Sequence, residues 1–465
     1  MGFVRALFVT TVIVLGTGAS VSANAKLPSP AIEHLPNGLE VAWFIDHRVP
    51  LIDCTLVVPA GGRSDPFQRS GVSELTTSLL DRGAGGVDWL TLARSIEKLG
   101  ASRFTWSSPD TMALGISGGS EDAPFLIELL ANMALRPEFP QSEFDKIKKS
   151  TLEAWSLMDQ DAEALASLAF RRFVQNGTTY GRGGYFRKSD FERIQRDDVL
   201  KFHEKFFKPK GALLVVVGDV DPATFRPLLE AQFREWTGSA PKVAFRANNE
   251  SVYQTRKGQV IVIDRPDAPQ AEIRLGFQAP TASVPERYDL RVAVSLFGDL
   301  FTSRLNRVLR DEMGLTYSAQ AALGFERELG VLEVATSTRN AMVGRTLRKA
   351  LDLLEGLQQG SFEEAEVSAA RDFLVGSFPL RHNTVWEISR RWLAGWIHKQ
   401  GPDFLNEFVP RISGATRVST ERAVRKHFYG KRPILVVAGD ARALAVELKK
   451  SGFTDLKILR PKDFR

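Results

Sequence analysis

One feature constrains the fold of this chain more than any other: an apolar strand ending in Gly-Asp occurs twice, far apart. Residues 206–220 read FFKPKGALLVVVGDV, and residues 427–441 read HFYGKRPILVVAGDA. Each segment contains aromatic residues, a basic linker, an apolar run and then Gly-Asp. A continuous apolar run predicts a strand that is buried on both faces. Helical patterns follow at residues 222–233 and 442–450. This repeat indicates a duplicated unit.

A weaker repeat lies near the start of each unit. Residues 52–66 read IDCTLVVPAGGRSDP, and residues 271–285 read AEIRLGFQAPTASVP. Each is an apolar strand followed by a polar loop and a helical pattern. Two repeats in the same order predict duplication and fusion, with an N-terminal domain over 26–245 and a C-terminal domain over 246–465. The polar stretch at 246–251 is the predicted linker.

The pattern of elements within each domain predicts the fold class. Strands of the first domain are predicted near 39–45, 51–59, 101–107, 111–117 and 212–218. Its helices are predicted near 70–82, 88–98, 121–135, 141–159, 162–174 and 195–206, and long helices of the second domain near 341–358, 363–376 and 384–398. Adjacent strand pairs such as 101–107 and 111–117 read as hairpins. We therefore predict an α+β fold of two homologous domains, each a mostly antiparallel sheet covered by helices.

The first 25 residues have the pattern of a cleavable signal peptide. Arg5 precedes an apolar stretch over 6–21, and Ala23-Asn24-Ala25 fits the small-x-small cleavage rule. A membrane anchor is the alternative, but the apolar stretch is short for a bilayer span of about 20 residues. We expect cleavage after Ala25 and export, most simply to a bacterial periplasm, without a stable membrane anchor.

Composition excludes several classes of function. The formal charge is only +6, from 61 basic and 55 acidic residues that are interspersed, so nucleic-acid binding has no support. The single cysteine, Cys54, lies in an apolar run and is predicted to be a buried packing residue. None of the six histidines has a second histidine at metal-binding spacing. The G-x-S-x-G pattern at 115–119 lies in a predicted hairpin, where a serine-hydrolase elbow would need a parallel sheet.

The segment GVSELTTSLLDRGA at 71–84 resembles the active-site helix of the pitrilysin (insulinase-like) metallopeptidases. Those enzymes carry H-x-x-E-H, in which two histidines on one helical face bind zinc and the glutamate polarises water. In this chain the glycines and leucines around the motif remain. Glu74, Thr77 and Ser78 occupy the first histidine, the glutamate and the second histidine positions.

The family's third zinc ligand is a glutamate on a later helix. The matching region is TLEAW at 151–155, where the ligand position falls on Ala154 or Trp155 and Glu153 lies just beside it. Hydroxyl groups and a misplaced carboxylate make a poor Zn²⁺ site. We therefore predict that this chain binds no metal and has no catalytic residue of its own. A self-sufficient peptidase with unusual ligands is the alternative, and metal analysis of the lone protein decides between the two.

A second motif is intact. Residues 303–318, SRLNRVLRDEMGLTYS, are similar to the family's R-x-x-x-G-L-x-Y signature, with Arg310 and Tyr317 at the matching positions. The apolar spacing predicts a helix through Arg310, and residues 315–322 alternate like a strand that would carry Tyr317. The alternative reading is that Arg310 pairs with neighbouring Asp311 or Glu312 and that Tyr317 simply packs.

The resemblance implies a division of labour between two chains. In heterodimers of this family, one chain keeps the zinc motif and the other keeps the arginine and tyrosine. The chain would then be the non-catalytic, substrate-binding subunit of a heterodimeric zinc metallopeptidase. Its partner would be a homologous subunit with H-x-x-E-H and the zinc ion, and its substrates would be peptides or unfolded proteins. A scaffold or binding protein derived from a peptidase, with no role in proteolysis, is the alternative.

Overall fold

The computed structural model describes residues 26–183, 187–245 and 256–464. The predicted signal peptide and the predicted linker at 246–251 both lie outside these residues, so the leader and the domain boundary stay predictions. Within the described ranges, no helix is both long and apolar enough to cross a membrane.

The strands form two large sheets and one short ladder. They are β1 Ala31–His34, β2 Glu40–Ile45, β3 Leu51–Val58, β4 Gly83–Ala84, β5 Val87–Asp88, β6 Ser102–Ser107, β7 Met112–Gly119, β8 Leu213–Gly218, β9 Val260–Asp264, β10 Gln270–Ala279, β11 Ala319–Phe325, β12 Gly330–Arg339, β13 Ile434–Gly439 and β14 Leu456–Leu459. All five strands predicted for the first domain are confirmed.

Along the chain, the strands are separated by helices. They are α1 Val72–Leu79, α2 Trp89–Lys98, α3 Ala123–Leu135, α4 Gln141–Met158, α5 Ala162–Val174, α6 Tyr180–Gly183, α7 Lys188–Glu192, α8 Arg196–Phe206, α9 Pro222–Phe233, α10 Arg287–Val294, α11 Val343–Gln359, α12 Glu364–Ser377, α13 Val385–Ile397, α14 Phe404–Ser413, α15 Arg417–His427, α16 Ala441–Lys450 and α17 Pro461–Phe464. Two π-helices, Ser295–Asp299 and Asn306–Glu312, lie between α10 and β11.

The two sheets have equivalent strand orders, which confirms the α+β fold with two related halves. The first sheet runs β1-β2-β8-β3-β7-β6, and the second runs β14-β9-β13-β10-β12-β11. In both, the repeated strand (β8 or β13) pairs in parallel with one neighbour and antiparallel with the other. On the antiparallel side of the repeated strand, the pairs β3–β7 and β7–β6 of the first sheet and β10–β12 and β12–β11 of the second are all antiparallel. Strands β6 and β11 are the edge strands there.

The repeated strand is central because its side chains are apolar on both faces. Every residue of β8 is buried. At its end Gly218 has a φ of +121°, and a Cβ there would lie only 2.0 Å from the carbonyl oxygen of Leu51. Only glycine is compatible with both constraints. Cys54, on the adjacent strand, is buried as predicted, and burial raises the pKa of its thiol.

A helix from each half packs against the sheet of the other half. Helix α5, from the first half, packs Phe170 and its neighbours against Ile261 and Val436 of the second sheet. Helix α13, from the second half, packs Trp392 on Phe44 of the first sheet, with ring centroids 5.7 Å apart. Each sheet is therefore covered on one face by its own helices and on the other by a helix from the opposite half.

A buried polar cluster, here called the clasp, also joins the halves. Asp110, which is 1% exposed, forms an ion pair with Arg63 at 3.0 Å and accepts hydrogen bonds from the Tyr180 hydroxyl at 3.0 and 3.1 Å. From the second half, the backbone N–H of Arg327 donates to Asp110 at 2.8 Å, and that of Glu328 donates to the Tyr180 oxygen at 3.0 Å. The β6–β7 turn and the β11–β12 turn thus meet end to end.

Candidate functional site

Helix α1, which carries the altered zinc motif, has an unusual start. Its N-cap is Gly71, with a φ of +100°. Because glycine has no side chain, this residue cannot cap the helix with a side-chain hydrogen bond. The carboxylate of Asp65 takes over this role by accepting the backbone N–H groups of Gly71 at 2.6 Å and Ser73 at 3.0 Å. Burial raises the pKa of Asp65 to about 7 in spite of these hydrogen bonds.

The three residues at the zinc-motif positions of α1 do not form a metal site. Thr77 is buried and donates its hydroxyl hydrogen to the Ser73 carbonyl at 2.7 Å, so this group is already used within the helix. Ser78 is half-buried. Glu74 is solvent-exposed and has no hydrogen-bond or ionic partner among the described residues, yet desolvation raises its pKa.

The region of the third ligand offers no better donor. Glu153 on α4 is exposed and lies 3.9 Å from Lys149, its neighbour one helical turn away. Trp155 is buried. Throughout the described ranges, no three His, Cys, Asp or Glu side chains are grouped so that they could hold a metal. The residues present do not fit Zn²⁺, which takes imidazole, thiolate or well-aimed carboxylate ligands.

Arg310 lies in the π-helix Asn306–Glu312 and is held on two sides. Its guanidinium carbon lies 3.8 Å from the ring centroid of Phe301, a cation–π contact. Its Nε donates to Asp311 Oδ1 at 2.7 Å and its Nη2 to Asp311 Oδ2 at 3.2 Å. These bonds raise the pKa of Arg310 and lower the pKa of Asp311, and Tyr317 also contributes to the shift at Arg310.

The pairing with Asp311 leaves much of the Arg310 guanidinium free to act. An arginine has five N–H donors in a planar fork. Asp311 uses one on Nε and one on Nη2, so both hydrogens of Nη1 and one of Nη2 have no acceptor within the described part of the chain. Arg310 is therefore oriented rather than neutralised, and it retains a donor edge suited to a peptide carbonyl or an oxyanion.

Tyr317 lies in the loop before β11, so the prediction that it is part of the strand is wrong. The strand begins at Ala319, whose backbone N–H donates to the buried Asn306 side chain at 2.9 Å. Before it, the Thr316 hydroxyl accepts the N–H of Ser318 at 3.2 Å, which forms a turn in place of the first ladder bonds. The Tyr317 side chain is 92% exposed. It projects to solvent instead of packing in a core.

The sheet register places the pair at one end of β11. Tyr317 precedes the first residue of that strand, whereas the β11–β12 turn at the other end joins the clasp. Helix α1 packs on α4, α8 and β6 of the first half, and the π-helix of Arg310 packs on β11 and α11 of the second. Among the described residues, no hydrogen bond, ion pair or ring contact joins the two motifs.

Sequence reasoning missed three structural features, one beside Arg310 and two that hold the fold around the motifs. The stack of Phe301 on Arg310 crosses a turn that no local pattern predicts. The cap from Asp65 and the clasp at Asp110 depend on burial that the chain achieves only when folded. For Asp65 a signal was present, since an acidic residue a few positions before a helix with glycine at its start is a candidate cap.

Two family models match the chain. Residues 44–181 match insulinase (peptidase family M16), and residues 193–374 match the peptidase M16 inactive domain. The chain belongs to peptidase family M16. It is similar to an uncharacterized zinc protease of Mycobacterium tuberculosis, with 22% identity over 90% of this chain and 96% of the relative.

Two relatives come from one strain of Helicobacter pylori. A non-peptidase homologue, YmxG, is 24% identical over 74% of this chain and 79% of its own length, and the zinc protease PqqE is 22% identical over 78% and 82%. The fold matches the crystal structure of a peptidase M16 inactive domain from Pseudomonas fluorescens, with a TM-score of 0.81 and 21% identity over 89% of this chain and 98% of the other. Together with the replaced zinc positions, these findings make the chain a non-catalytic M16 relative.

Proposed function

We propose that this chain is the non-catalytic, substrate-binding subunit of a heterodimeric zinc metallopeptidase and that it supplies Arg310 and Tyr317 to the active site of its partner. The partner would be a homologous M16 subunit with an intact H-x-x-E-H motif and the zinc ion. The substrates would be peptides or unfolded protein segments. If the leader is removed after Ala25, the complex would act in the periplasm.

The observation that carries this proposal is the contrast between the two motifs. At the zinc-motif positions, the Thr77 hydroxyl is bound within its own helix and Glu74 has no partner among the described residues. In the second half, Arg310 has free N–H donors, and the exposed hydroxyl of Tyr317 is open to a ligand. A residual fold with no role in proteolysis has no need of an oriented arginine beside an exposed tyrosine hydroxyl on its surface.

The chemistry of the pair suits the transition state of peptide hydrolysis. Attack of water on a peptide carbonyl puts negative charge on its oxygen, and a positioned N–H or O–H donor stabilises that charge. Loss of one such donor costs about 3–4 kcal/mol of transition-state stabilisation. Zinc held by the partner would supply the activated water. From this chain, Tyr317 would donate to the developing oxyanion and Arg310 to the carbonyl of an adjacent residue.

The family findings support a peptidase partner. One Helicobacter pylori strain contains both a non-peptidase homologue and a zinc protease that resemble this chain. Such a pair is what a two-chain peptidase of this family requires. A second gene product with H-x-x-E-H in the source of this chain is therefore the first candidate for the partner.

Reconstitution with that partner tests the proposal. The purified chain should contain no stoichiometric zinc by elemental analysis and should cleave no peptide alone, while the mixture should be active. Arg310→Ala and Tyr317→Phe should each lower kcat at least about 100-fold, the loss expected for a transition-state donor. Arg307→Ala is the matched control, because Arg307 lies on the same π-helix and pairs with Glu312 at 2.8 Å.

Two outcomes would contradict the proposal. Stoichiometric zinc in the lone chain, with activity, would make it a self-sufficient peptidase. Full activity of both variants in the mixture would remove the catalytic role and favour the alternative, a scaffold or binding protein.

A further inference from the structure

Phe301 is an apolar side chain in an unusual position. It lies in the short turn between the two π-helices and is 75% exposed, although a ring of this size is normally buried. The turn itself is well tied. The Leu300 carbonyl accepts hydrogen bonds from the backbone N–H of Ser303 at 3.0 Å and from Asn306 Nδ2 at 3.2 Å. The fixed backbone of this turn thus directs the Phe301 ring towards solvent.

One face of the ring is occupied by Arg310. The distance of 3.8 Å between the guanidinium carbon and the ring centroid is a close approach to that face, and it leaves the rest of the ring open to water. Together with the two hydrogen bonds that Arg310 donates to Asp311, this contact limits rotation of the guanidinium group. The exposed Phe301 ring therefore helps to orient the Arg310 guanidinium. The rest of its apolar surface is not covered by any described part of the chain.

The geometry points to Phe301 as a positioning residue for Arg310 and as the wall of an apolar subsite for the substrate. This inference rests on the proposed function. A peptide whose carbonyl accepts a hydrogen bond from Arg310 has to pass within one side-chain length of the Phe301 ring. In an extended peptide, alternate side chains point to the same side. One of them would lie on the ring.

The charges around the ring favour an uncharged side chain at that point. Arg310 lies on one face with its counter-ion Asp311 beside it, so the two residues together carry little net charge although Arg310 keeps free N–H donors. Tyr317 adds a second exposed aromatic side chain to the same segment. Aliphatic and aromatic side chains gain most from covering such a surface, whereas serine or aspartate gains little.

A positional peptide scan on the reconstituted complex tests the inference. With the unaltered chain, one position next to the cleaved bond should prefer leucine or phenylalanine to serine by about tenfold in kcat/KM, a ratio typical of burying one apolar side chain. Phe301→Ala should abolish this preference and leave those of other positions unchanged. It should also lower kcat for every peptide, because Arg310 is less well oriented. Phe301→Trp, which keeps a ring for the cation, should restore kcat.

The matched control is Tyr429→Ala. Tyr429 is 70% exposed and precedes β13. The register of β13 on β10, and of β10 on β12, places that end of the sheet opposite to the start of β11. This variant should behave like the unaltered complex.

The inference is separable from the proposed function. If Phe301→Ala keeps both the apolar preference and kcat while Arg310→Ala is inactive, Phe301 has neither role and the proposed function stands. If Arg310→Ala is fully active as well, the proposed function fails and the inference fails with it. A uniform loss of kcat that Phe301→Trp does not restore, with the preference intact, would also overturn the inference.

Discussion

The backbone N–H of Arg327 donates a hydrogen bond of 2.8 Å to the buried carboxylate of Asp110, and this bond joins the two halves of the chain at the ends of their edge hairpins. Asp110 also neutralises Arg63, whose side chain is 9% exposed. Asp110→Asn should therefore destabilise the fold by about 3 kcal/mol or more, since it leaves a buried guanidinium without its counter-ion. Urea denaturation measures the loss. Glu153→Gln, at an exposed site on α4, should change stability by less than about 0.5 kcal/mol.

Tyr180 is the second member of the clasp, and its hydroxyl both donates to Asp110 and accepts from the N–H of Glu328. Tyr180→Phe keeps the ring and removes only these bonds. We expect a loss of about 1–3 kcal/mol, because a buried carboxylate and a backbone N–H each lose a partner. Tyr429→Phe, on an exposed ring, should have no measurable effect in the same denaturation experiment. Equal stabilities of the two variants would show that the hydrogen bonds of the Tyr180 hydroxyl in the clasp contribute little to the stability of the fold.

Glu326, at the β11–β12 turn, gives the clasp a dependence on pH. Burial, and then the negative charge of Asp110, raise its pKa to about 7, partly offset by Arg171. The folded state therefore keeps a proton on Glu326 that the unfolded chain releases near pH 4.5, so the contribution of this group to stability should fall as pH rises from about 4.5 to 7. Glu326→Gln should stabilise the protein at pH 8 by on the order of 1–3 kcal/mol and have little effect at pH 4.

Denaturation curves at several pH values check this prediction. Asp65, with its pKa also raised to about 7, contributes a slope of the same sign, and Glu326→Gln leaves that contribution in place. His203, whose pKa burial lowers to about 4, contributes a slope of the opposite sign, so the test is the difference between Glu326→Gln and the unaltered protein. A difference in stability that stays the same between pH 4 and pH 8 would contradict the assignment of Glu326.

The strands could be predicted from the sequence because the evidence for them is local. An apolar run such as β8 reads as a buried strand wherever it lies, and two copies ending in Gly-Asp reveal the duplication. The exchange of α5 and α13 could not be predicted in this way. An apolar helical face shows that the helix is covered but does not show which sheet covers it.

The site was predictable only in part for the same reason. The motif spacing identified Arg310 and Tyr317, but alternation of residues suggested a strand from Leu315, whereas β11 begins at Ala319. The side chains of Thr316 and Asn306 form local hydrogen bonds that replace the first ladder bonds. Whether the side-chain hydrogen bonds or the strand hydrogen bonds form there depends on residues that come close only in the folded chain. The periodicity of the sequence gives no information about those residues.

Gly218 should be the more costly of two glycines to replace. A Cβ at Gly218 would lie 2.0 Å from the Leu51 carbonyl oxygen, and its φ is +121°. Gly218→Ala should therefore destabilise the protein by more than about 3 kcal/mol or prevent folding. A Cβ at Gly356, within α11, would have open space around it, with no described atom of another element within 4 Å, and Gly356→Ala should stabilise by about 0.5–1 kcal/mol. Thermal denaturation of both variants checks the contrast, which would be refuted by a stable Gly218→Ala protein.

Arg310→Lys distinguishes the shape of the donor from its charge. Lysine keeps the positive charge, but its ammonium has no planar fork to bond Asp311 in two places while presenting further N–H groups to a substrate. If Arg310 acts through that fork, the reconstituted complex with Arg310→Lys should lose most of its kcat, nearly as much as with Arg310→Ala. Arg307→Lys on the same π-helix should retain activity, because Arg307 makes a single exposed pair with Glu312. Near-normal kcat for Arg310→Lys would mean that charge alone suffices and that the planar fork has no part in the reaction.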